Sequence, residues 1–149
     1  MKYQNFIKLS FPSKSVNEGF ARSTIAAFCA QLDPSVEQIN DIKTSVSEAV
    51  TNCIVHGYRD TFGVIYITAT IKEDTVTVKI VDKGIGIEDV NKAMQPLFTT
   101  DPEGERAGIG FAVMQSFMDS VKVKSALGKG TKVVMTKKII PREKNVVTT

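Results

Sequence analysis

Five short runs along the chain are predicted to be β-strands, and apolar and polar side chains alternate in the first of them. In the first run, Ile7, Leu9 and Phe11 share one face of a strand over residues 6–11. Two further strands are predicted over 64–71 and 75–81, joined by a charged turn at 72–74. The last two, 121–125 and 131–138, flank a glycine-containing turn at 128–130. The five runs therefore predict one single strand and two hairpins.

Between these runs, apolar residues recur at helical spacing. Ser15 and Glu18 have the spacing of a capping box, which predicts a helix that continues to about Leu32. The apolar positions assigned to this helix are Val16, Phe20, Ile25, Phe28 and Leu32. Ser35 and Gln38 have the same spacing and predict a second helix that runs to about His56, before Gly57. Its expected buried stripe is Ile39, Ile42, Val46, Ala49, Val50 and Cys53.

The stretch from Asn91 to Gly110 has little periodicity, and we expect a long loop there with at most one short helix. A further helix is predicted from about Gly110 to Ser120. The element order is then β-α-α-β-β-loop-α-β-β, without repeated βαβ units. This order favours an α+β fold, a two-layer α/β sandwich whose mixed, mostly antiparallel sheet carries helices on one face.

Composition narrows the class of protein. The chain has 149 residues, 42% hydrophobic and 23% charged, which predicts one globular domain over residues 1–140 and a flexible polar tail over 141–149. No stretch approaches the ~18 apolar residues of a membrane span, and no signal peptide precedes the first strand, so we expect a cytoplasmic protein that does not bind membranes. The net charge of +3 is spread along the chain, and we expect no direct binding of nucleic acid.

Three groups of residues have candidate chemistry. On the second helix, Glu48 and Asn52 are one turn apart, so a carboxylate and an amide could hold a metal ion and a nucleophile's proton side by side. Taken alone, the pair fits a solvated helix face better. His56 follows at the same spacing and is expected to be a hydrogen-bonding group at the helix end or a cation in its last turn, rather than a catalytic residue.

The second group follows a predicted strand. Asp82 could accept hydrogen bonds from a ligand amine, and Gly84 and Gly86 permit close approach of the backbone. A tight turn explains the glycines equally well. The motif is not the dinucleotide fingerprint, because Asp89 stands where the third glycine would be.

The third group, residues 104–110, places glycines ahead of a predicted helix, which is typical of a phosphate cradle. Arg106 could add a charge-assisted contact to a terminal phosphate. The preceding hydroxyl-bearing segment, with Thr99 and Thr100, could fold over a ligand. A flexible loop that only caps the helix is the alternative.

The order of the three groups resembles the ATPase superfamily of gyrase, heat-shock chaperone, histidine kinase and mismatch-repair proteins over residues 6–140. Within it, residues 47–52 with 56–58, and residues 95–100 with 105–111, resemble the anti-sigma-factor serine kinases. The resemblance implies Mg²⁺ and ATP as ligands. It makes Asn52 the magnesium ligand, Glu48 the catalytic carboxylate and Asp82 the residue that reads the adenine amino group.

Further roles also follow only from the resemblance. It places the remaining nucleotide contacts at Gly84, Gly86, Thr99, Thr100, Arg106, Gly108, Gly110 and Thr131. Arg22, on the first helix, resembles the arginine with which the family docks partners, although a solvated helix charge is a close alternative.

The activity that the resemblance implies is phosphorylation of a serine on an anti-anti-sigma protein, together with inhibition of a sporulation sigma factor by a homodimer. Two alternatives stay open: a protein that sequesters the sigma factor with little kinase activity, or the equivalent kinase for a stress-response sigma factor. A sensor histidine kinase is disfavoured, because His56, the one histidine, follows the Asn52 helix.

Overall fold

A five-stranded antiparallel sheet forms one layer of the molecule, and helices cover one of its faces. The computed structural model describes residues 4–95 and 102–142, and for residues 102–108 only the backbone. The strands are β1 (Asn5–Pro12), β2 (Val64–Lys72), β3 (Thr75–Asp82), β4 (Ser120–Ala126) and β5 (Gly130–Lys138). The helices are α1 (Asn17–Cys29), α2 (Val36–Asn52), α3 (Val90–Ala93) and α4 (Pro102–Phe117). The α+β two-layer sandwich predicted from the element order is confirmed.

The strand order in the sheet is β1-β2-β3-β5-β4, and all four pairings in the described part of the chain are antiparallel. The sheet is therefore antiparallel throughout rather than mixed. The two predicted hairpins, β2–β3 and β4–β5, are present and join through the pairing of β3 with β5. That pairing places Asp82, the last residue of β3, directly opposite Thr131 of β5.

The core lies between the helices and the inner face of the sheet. Alternate strand residues such as Ile65, Ile67, Val78 and Ile80 are fully buried there, while their neighbours point to the open face. The helices contribute Ile25, Ile42, Val46, Phe111 and Met114. Burying side chains of this size stabilises the fold by roughly 1.5–3 kcal/mol each, so this core fixes the positions of the helices over the sheet.

The start of α1 differs from the prediction. Val16, not Ser15, is the N-cap residue, and no side chain caps the helix, so the predicted capping box is wrong. The Glu18 carboxylate instead pairs with Arg22 at 3.5 Å and accepts a hydrogen bond from Thr51 of α2 at 2.8 Å. The helix ends at Cys29 and continues as a 3-10 turn over Ala30–Leu32. Glu18 therefore ties α1 to α2 instead of closing the helix end.

The buried stripe of α1 is also different. Ala21, Ile25, Phe28 and Cys29 are buried, whereas Val16 and Phe20 are 78% and 61% exposed. At about 100° per residue, Phe20 lies roughly 140° around the helix from Ile25. The small side chain of Ala21 occupies the inner position on that turn.

Helix α2 matches its prediction closely. The Ser35–Gln38 capping box is confirmed, with both reciprocal hydrogen bonds present. The predicted stripe is buried, except that Ile39 is only half-buried. The helix ends at Asn52, and a wider π-helical turn, Cys53–Tyr58, replaces its predicted last turn. Such turns occur often at functional sites.

The stretch predicted as a loop contains more helix than expected. Helix α4 begins at Pro102, eight residues before the predicted start at Gly110. Proline is favoured at the first helical position and a glutamate in the first turn, and Pro102 and Glu103 supply both. The glycines of residues 104–110 therefore lie within a helix and not ahead of one.

The end of the described chain packs against the turn before α2. The Arg142 guanidinium lies 2.8 Å from the Asp33 carboxylate, and the Arg142 backbone N–H donates to the Asp33 carbonyl. Residues 143–149 of the predicted tail lie outside the described residues, and the division at residue 140 remains a prediction. No helix of the described segments is long and apolar enough to cross a membrane.

Candidate nucleotide site

Glu48 and Asn52 come together beneath helix α4. The two side chains are one turn apart on α2, and both reach the backbone of Gly110. A Cβ atom added at Gly110 would lie 3.2 Å from the Glu48 Oε2 atom and 3.2 Å from both polar atoms of the Asn52 amide. The absence of a side chain at residue 110 therefore allows α4 to close directly over the carboxylate and the amide.

The Asn52 amide has an unmet hydrogen-bonding requirement. Its Nδ2 atom is buried and has no hydrogen-bond partner among the described residues. Leaving a buried polar group unpaired costs about 1–3 kcal/mol. Asn52 also lines a cavity, which is larger than the cavity between α1 and α2 described below. An orphaned donor at the wall of a cavity is suited to a ligand that carries acceptor oxygens.

This cavity has a volume of about 320 Å³, which is at the lower end of the range for small-molecule sites. It lies between the end of α2, the turn after β3, and helix α4. The polar residues of its lining are Asn52, His56, Arg59, Asp82, Glu88 and Thr131. The apolar wall includes Cys53, Ile85, Ile87, Phe111 and Val133. A slot with apolar walls and a few polar groups suits a flat heterocycle.

Asp82 is a buried carboxylate at this cavity, only 4% exposed. Its Oδ1 atom accepts a hydrogen bond from the Gly84 N–H at 2.9 Å, and the Cys53 thiol and the Thr131 backbone N–H also donate to the carboxylate. Desolvation by burial raises the pKa of Asp82, and these three donors oppose the shift. The donors also fix the orientation of the carboxylate, so it can accept from a ligand without rearranging.

Cys53 is the thiol partner of Asp82 and is fully buried. Burial, and next the negative charge of Asp82, raise its pKa well above the usual range. Because the thiolate is the nucleophilic form, Cys53 acts here as a hydrogen-bond donor and a wall of the slot. The sequence predicted only a buried thiol at this position.

Gly57 and Gly84 allow the turns on either side of Asp82 to touch. A Cβ atom at Gly57 would lie 2.9 Å from the Asp82 Oδ1 atom, and one at Gly84 would collide with the Gly57 carbonyl oxygen. The Ile85 backbone N–H donates to that same carbonyl at 3.0 Å. Sequence reasoning treated Gly57 only as a helix stop. Its contact with Asp82 had no local signal, because the two residues are brought together only by the fold.

The Tyr58 side chain links the turn after Asp82 to strand β2. Its hydroxyl donates to the Val64 carbonyl at 2.6 Å and accepts from the Lys83 backbone N–H at 2.7 Å. Burial raises the pKa of Tyr58. The sequence gave no indication of this role, which fixes the first residue of the turn after Asp82.

Two more predicted residues lie at the same cavity. Thr131 lines it, and its hydroxyl is 2.7 Å from that of Ser125. Gly86 also lines it, with a positive φ of 79° that favours glycine. Asn52, Asp82, Gly86 and Thr131 are thus brought to one cavity, and Gly84 lies in the turn that supports it.

Glu48 and Arg22 face a second cavity, of about 260 Å³, between α1 and α2. Its other described lining residues are Asn40, Lys43, Thr44 and Ser47. Glu48 therefore borders a cavity on the side of α1, while Asn52, one turn further, borders the larger cavity. The sequence predicted Arg22 only as a residue that docks a partner protein. The fold places it at the same cavity as Glu48.

The remaining predicted residues are less completely described. Arg106 and Gly108 lie in the first half of α4, where only the backbone is described. Because this segment is helical, the prediction of a glycine cradle ahead of a helix is wrong, and Gly110 contacts Glu48 and Asn52 from inside α4. Thr99 and Thr100 lie outside the described residues.

The fold agrees with the class of protein that a family comparison defines. The family model of the histidine kinase-like ATPase domain matches residues 11–137. Among solved structures, the blue-light activated histidine kinase of Erythrobacter litoralis EL346 matches with a TM-score of 0.56 at 22% identity. That match covers 83% of this chain and 42% of the kinase chain, and it supports the fold alone.

More similar relatives narrow the class. A protein of Thermoanaerobacter sp. (strain X514) named anti-sigma F factor is 60% identical over 139 residues, covering 93% of this chain and 97% of its own. The anti-sigma F factor of Clostridium acetobutylicum is 53% identical, covering 91% of this chain and 94% of its own. The chain belongs to the family of anti-sigma F factors, within the histidine kinase-like ATPase domains.

Proposed function

We propose that this protein is an anti-sigma factor and an ATP-dependent serine kinase. It binds a sporulation sigma factor and transfers the γ-phosphate of ATP to a serine of its anti-anti-sigma antagonist. The observation that carries the proposal is the meeting of Glu48 and Asn52 under Gly110, with the Asn52 Nδ2 atom unpaired at the wall of the larger cavity. The names of the relatives support the sigma-factor partner.

The larger cavity is suited to the adenine end of ATP. The Asp82 carboxylate, already oriented by three donors, would accept from the adenine amino group. Thr131 would add a hydroxyl on the same side, and the walls of Cys53, Ile85 and Val133 would cover the ring faces. Gly84 and Gly86 would keep the backbone close to the base.

Asn52 fits a role as the magnesium ligand. Amide and phosphate oxygens are ligands that Mg²⁺ accepts, and the ion usually takes only one or two ligands from the protein. This agrees with the described residues, in which no group of three or more His, Cys, Asp or Glu side chains is placed to hold a metal. When bound with ATP, Mg²⁺ neutralises charge on the phosphates during transfer. Thr99, Thr100, Arg106 and Gly108 would complete the phosphate contacts.

Glu48 would act as the proton acceptor. In the proposed transfer, the serine hydroxyl oxygen forms a bond to the γ-phosphorus while the bond from that phosphorus to the bridging oxygen breaks. ADP leaves, and the hydroxyl proton passes to the Glu48 carboxylate. Glu48 is only half-buried and borders the second cavity, so a serine can approach it from the α1 side without entering the nucleotide slot.

The test measures transfer of labelled phosphate from Mg-ATP to the purified anti-anti-sigma protein. We expect Glu48→Gln to abolish serine labelling while ATP binding, measured separately by calorimetry, is retained. The matched control is Glu37→Gln, which makes the same change at an exposed position in the first turn of the same helix. Equal labelling by the Glu48→Gln protein would contradict the proton-acceptor role.

The same assay separates the alternatives. If the wild-type protein binds ATP and captures the sigma factor but labels no serine, it is a sigma-sequestering protein with little kinase activity. If it labels the antagonist of a stress-response sigma factor instead, the assigned pathway is wrong while the chemistry stands.

Partner docking is proposed at Arg22, which lines the same cavity as Glu48. We expect Arg22→Glu to weaken binding of the sigma factor while ATP affinity stays unchanged. Lys14→Glu makes the same reversal of charge at an exposed residue before α1 and serves as the control. Unchanged sigma affinity in Arg22→Glu would remove Arg22 from the interface. We further propose that the protein works as a cytoplasmic homodimer, which sedimentation of the purified chain tests.

A further inference from the structure

The open face of the sheet, opposite the helices and the nucleotide site, is covered by lysines. The strand register places seven of the eight strand lysines on this face, and only Lys137 points to the helices. One of the seven, Lys138, lies 3.8 Å from the Asp74 carboxylate, and Lys72 stands beside the acidic turn at 73–74. The remaining five define what we call the lysine face: Lys8, Lys79, Lys122, Lys124 and Lys132.

This face has no acidic counterpart of its own. The five strands contain one acidic residue, Asp82, and its side chain is buried on the inner face. None of the five lysines forms an ion pair with a described residue, and four of them are exposed. In the two register rows that hold these lysines, the uncharged residues are Ser10, Tyr66, Val81, Thr68 and Val134.

The arrangement has a cost for the sheet. Lys124 of β4 lies directly opposite Lys132 of β5, and like charges in this position destabilise a strand pair. Lys79 and Lys122 flank Val134 in the neighbouring row. The lysine cluster opposes folding and has no acidic partner in the described chain. Such a cluster is typical of a surface that binds another molecule.

We propose that the lysine face is a docking surface for an acidic segment of another protein. Charge complementarity identifies the occupant. A second copy of this chain would bring two lysine clusters together, and repulsion opposes that pairing. Single-stranded nucleic acid binds flat sheets by stacking bases on aromatic rings. Two aromatic rings lie on this face: that of Tyr66 is covered by the Lys83 ammonium at 5.1 Å, and that of Phe6 lies on the edge strand β1, away from most of the lysines.

The position of the face predicts how the partner behaves. The nucleotide cavity lies on the helix side of the sheet, so the acidic partner and a nucleotide occupy opposite faces. Binding at the lysine face should therefore depend strongly on salt and be insensitive to ATP or ADP. This inference does not rest on the kinase activity proposed above.

The experiment uses the full chain and a fluorescein-labelled oligoglutamate peptide, with binding followed by fluorescence anisotropy. The test variant is Lys79→Gln/Lys124→Gln/Lys132→Gln. The control is Lys14→Gln/Lys92→Gln/Lys129→Gln, which removes the same charge outside the strands. We expect about a tenfold loss of affinity in the test variant and little change in the control.

Backbone amide NMR of the wild-type chain locates the bound peptide, and we expect shifts at Thr68, Lys79 and Val134 of the open face. Circular dichroism of both variants establishes that they fold. Three results would overturn the proposal: equal loss of affinity in the two variants, tighter binding of oligothymidine than of oligoglutamate, or shifts at the face that grow with protein concentration in the absence of peptide. The last would assign the face to self-association.

Discussion

Substitution of Gly110 by alanine should separate the stability of this protein from its activity. Gly110 lies inside α4 and has no positive φ, so alanine fits the backbone. Replacing a glycine by alanine in a helix stabilises it by about 0.5–1 kcal/mol. The new Cβ atom would meet the Glu48 and Asn52 side-chain ends at 3.2 Å, and such ends can move by a few tenths of an ångström. The fold therefore tolerates the methyl group.

The site should not tolerate it. Misplacing catalytic groups by about 1 Å can cost roughly 10²-fold in rate, and a smaller shift of both Glu48 and Asn52 should cost about tenfold or more. We expect the melting temperature to rise by about 2–4 °C while phosphate transfer falls. Calorimetry and the labelling assay measure the two effects on the same sample.

A matched control strengthens this test. Gly19→Ala adds the same methyl group to α1, where the nearest atom belongs to the Arg22 side chain at an ordinary 3.5 Å. Its transfer rate should match that of the wild type. The reasoning fails if Gly110→Ala keeps the wild-type transfer rate. It also fails if that variant unfolds at a lower temperature, because the methyl group would then be meeting immovable backbone.

Three further predictions concern stability. Burial raises the pKa of Cys29 from 9.0 to about 12, so its contribution to stability is complete below pH 9.0 and is lost as the pH rises towards 12. In this window, the free energy of unfolding measured with urea should therefore fall by about 1.4 kcal/mol per pH unit more for the wild type than for Cys29→Ala. Parallel pH profiles of the two proteins would contradict the burial argument. Ser35→Ala removes the N-cap of α2 and should cost about 1 kcal/mol in the same measurement, whereas no loss would mean that Gln38 alone caps the helix. Tyr58→Phe removes the acceptor for the Lys83 N–H and should cost about 1–3 kcal/mol and weaken ATP binding by calorimetry; unchanged ATP affinity would show that the turn after Asp82 holds itself.

Elements with strong periodicity were predictable from the sequence. The strands β1 to β5 and the helix α2 were predicted to within a few residues, because strand patterns and a capping box are local signals. Helix α1 was placed correctly, but its inner face was not. Val16 and Phe20 are hydrophobic yet exposed, and Ala21 takes the inner position because helix packing there favours a small residue.

The site was predictable where its residues form ordered motifs and not where the fold joins distant segments. Asn52, Asp82 and Thr131, which the motifs single out, line one cavity, and their roles toward a nucleotide stay predictions. The π-helical turn supports that cavity through Cys53, Gly57 and Tyr58. No local sequence pattern predicts these contacts. Glycines inside α4 lowered its helical signal, although Pro102 marked its true start.

The pairing of Asp82 with Thr131 has a consequence for how this protein folds. Each hairpin closes a short loop, but the two hairpins meet only when β3 pairs with β5 across the intervening helices. Non-local pairings of this kind form late, since a long loop must close first. The polar edge of the nucleotide slot lies on that junction, so a half-assembled chain has two hairpins and no binding site. Adenine nucleotide should therefore recognise only the completed sheet and slow the separation of its two halves, which hydrogen exchange at residues 76–81 can record.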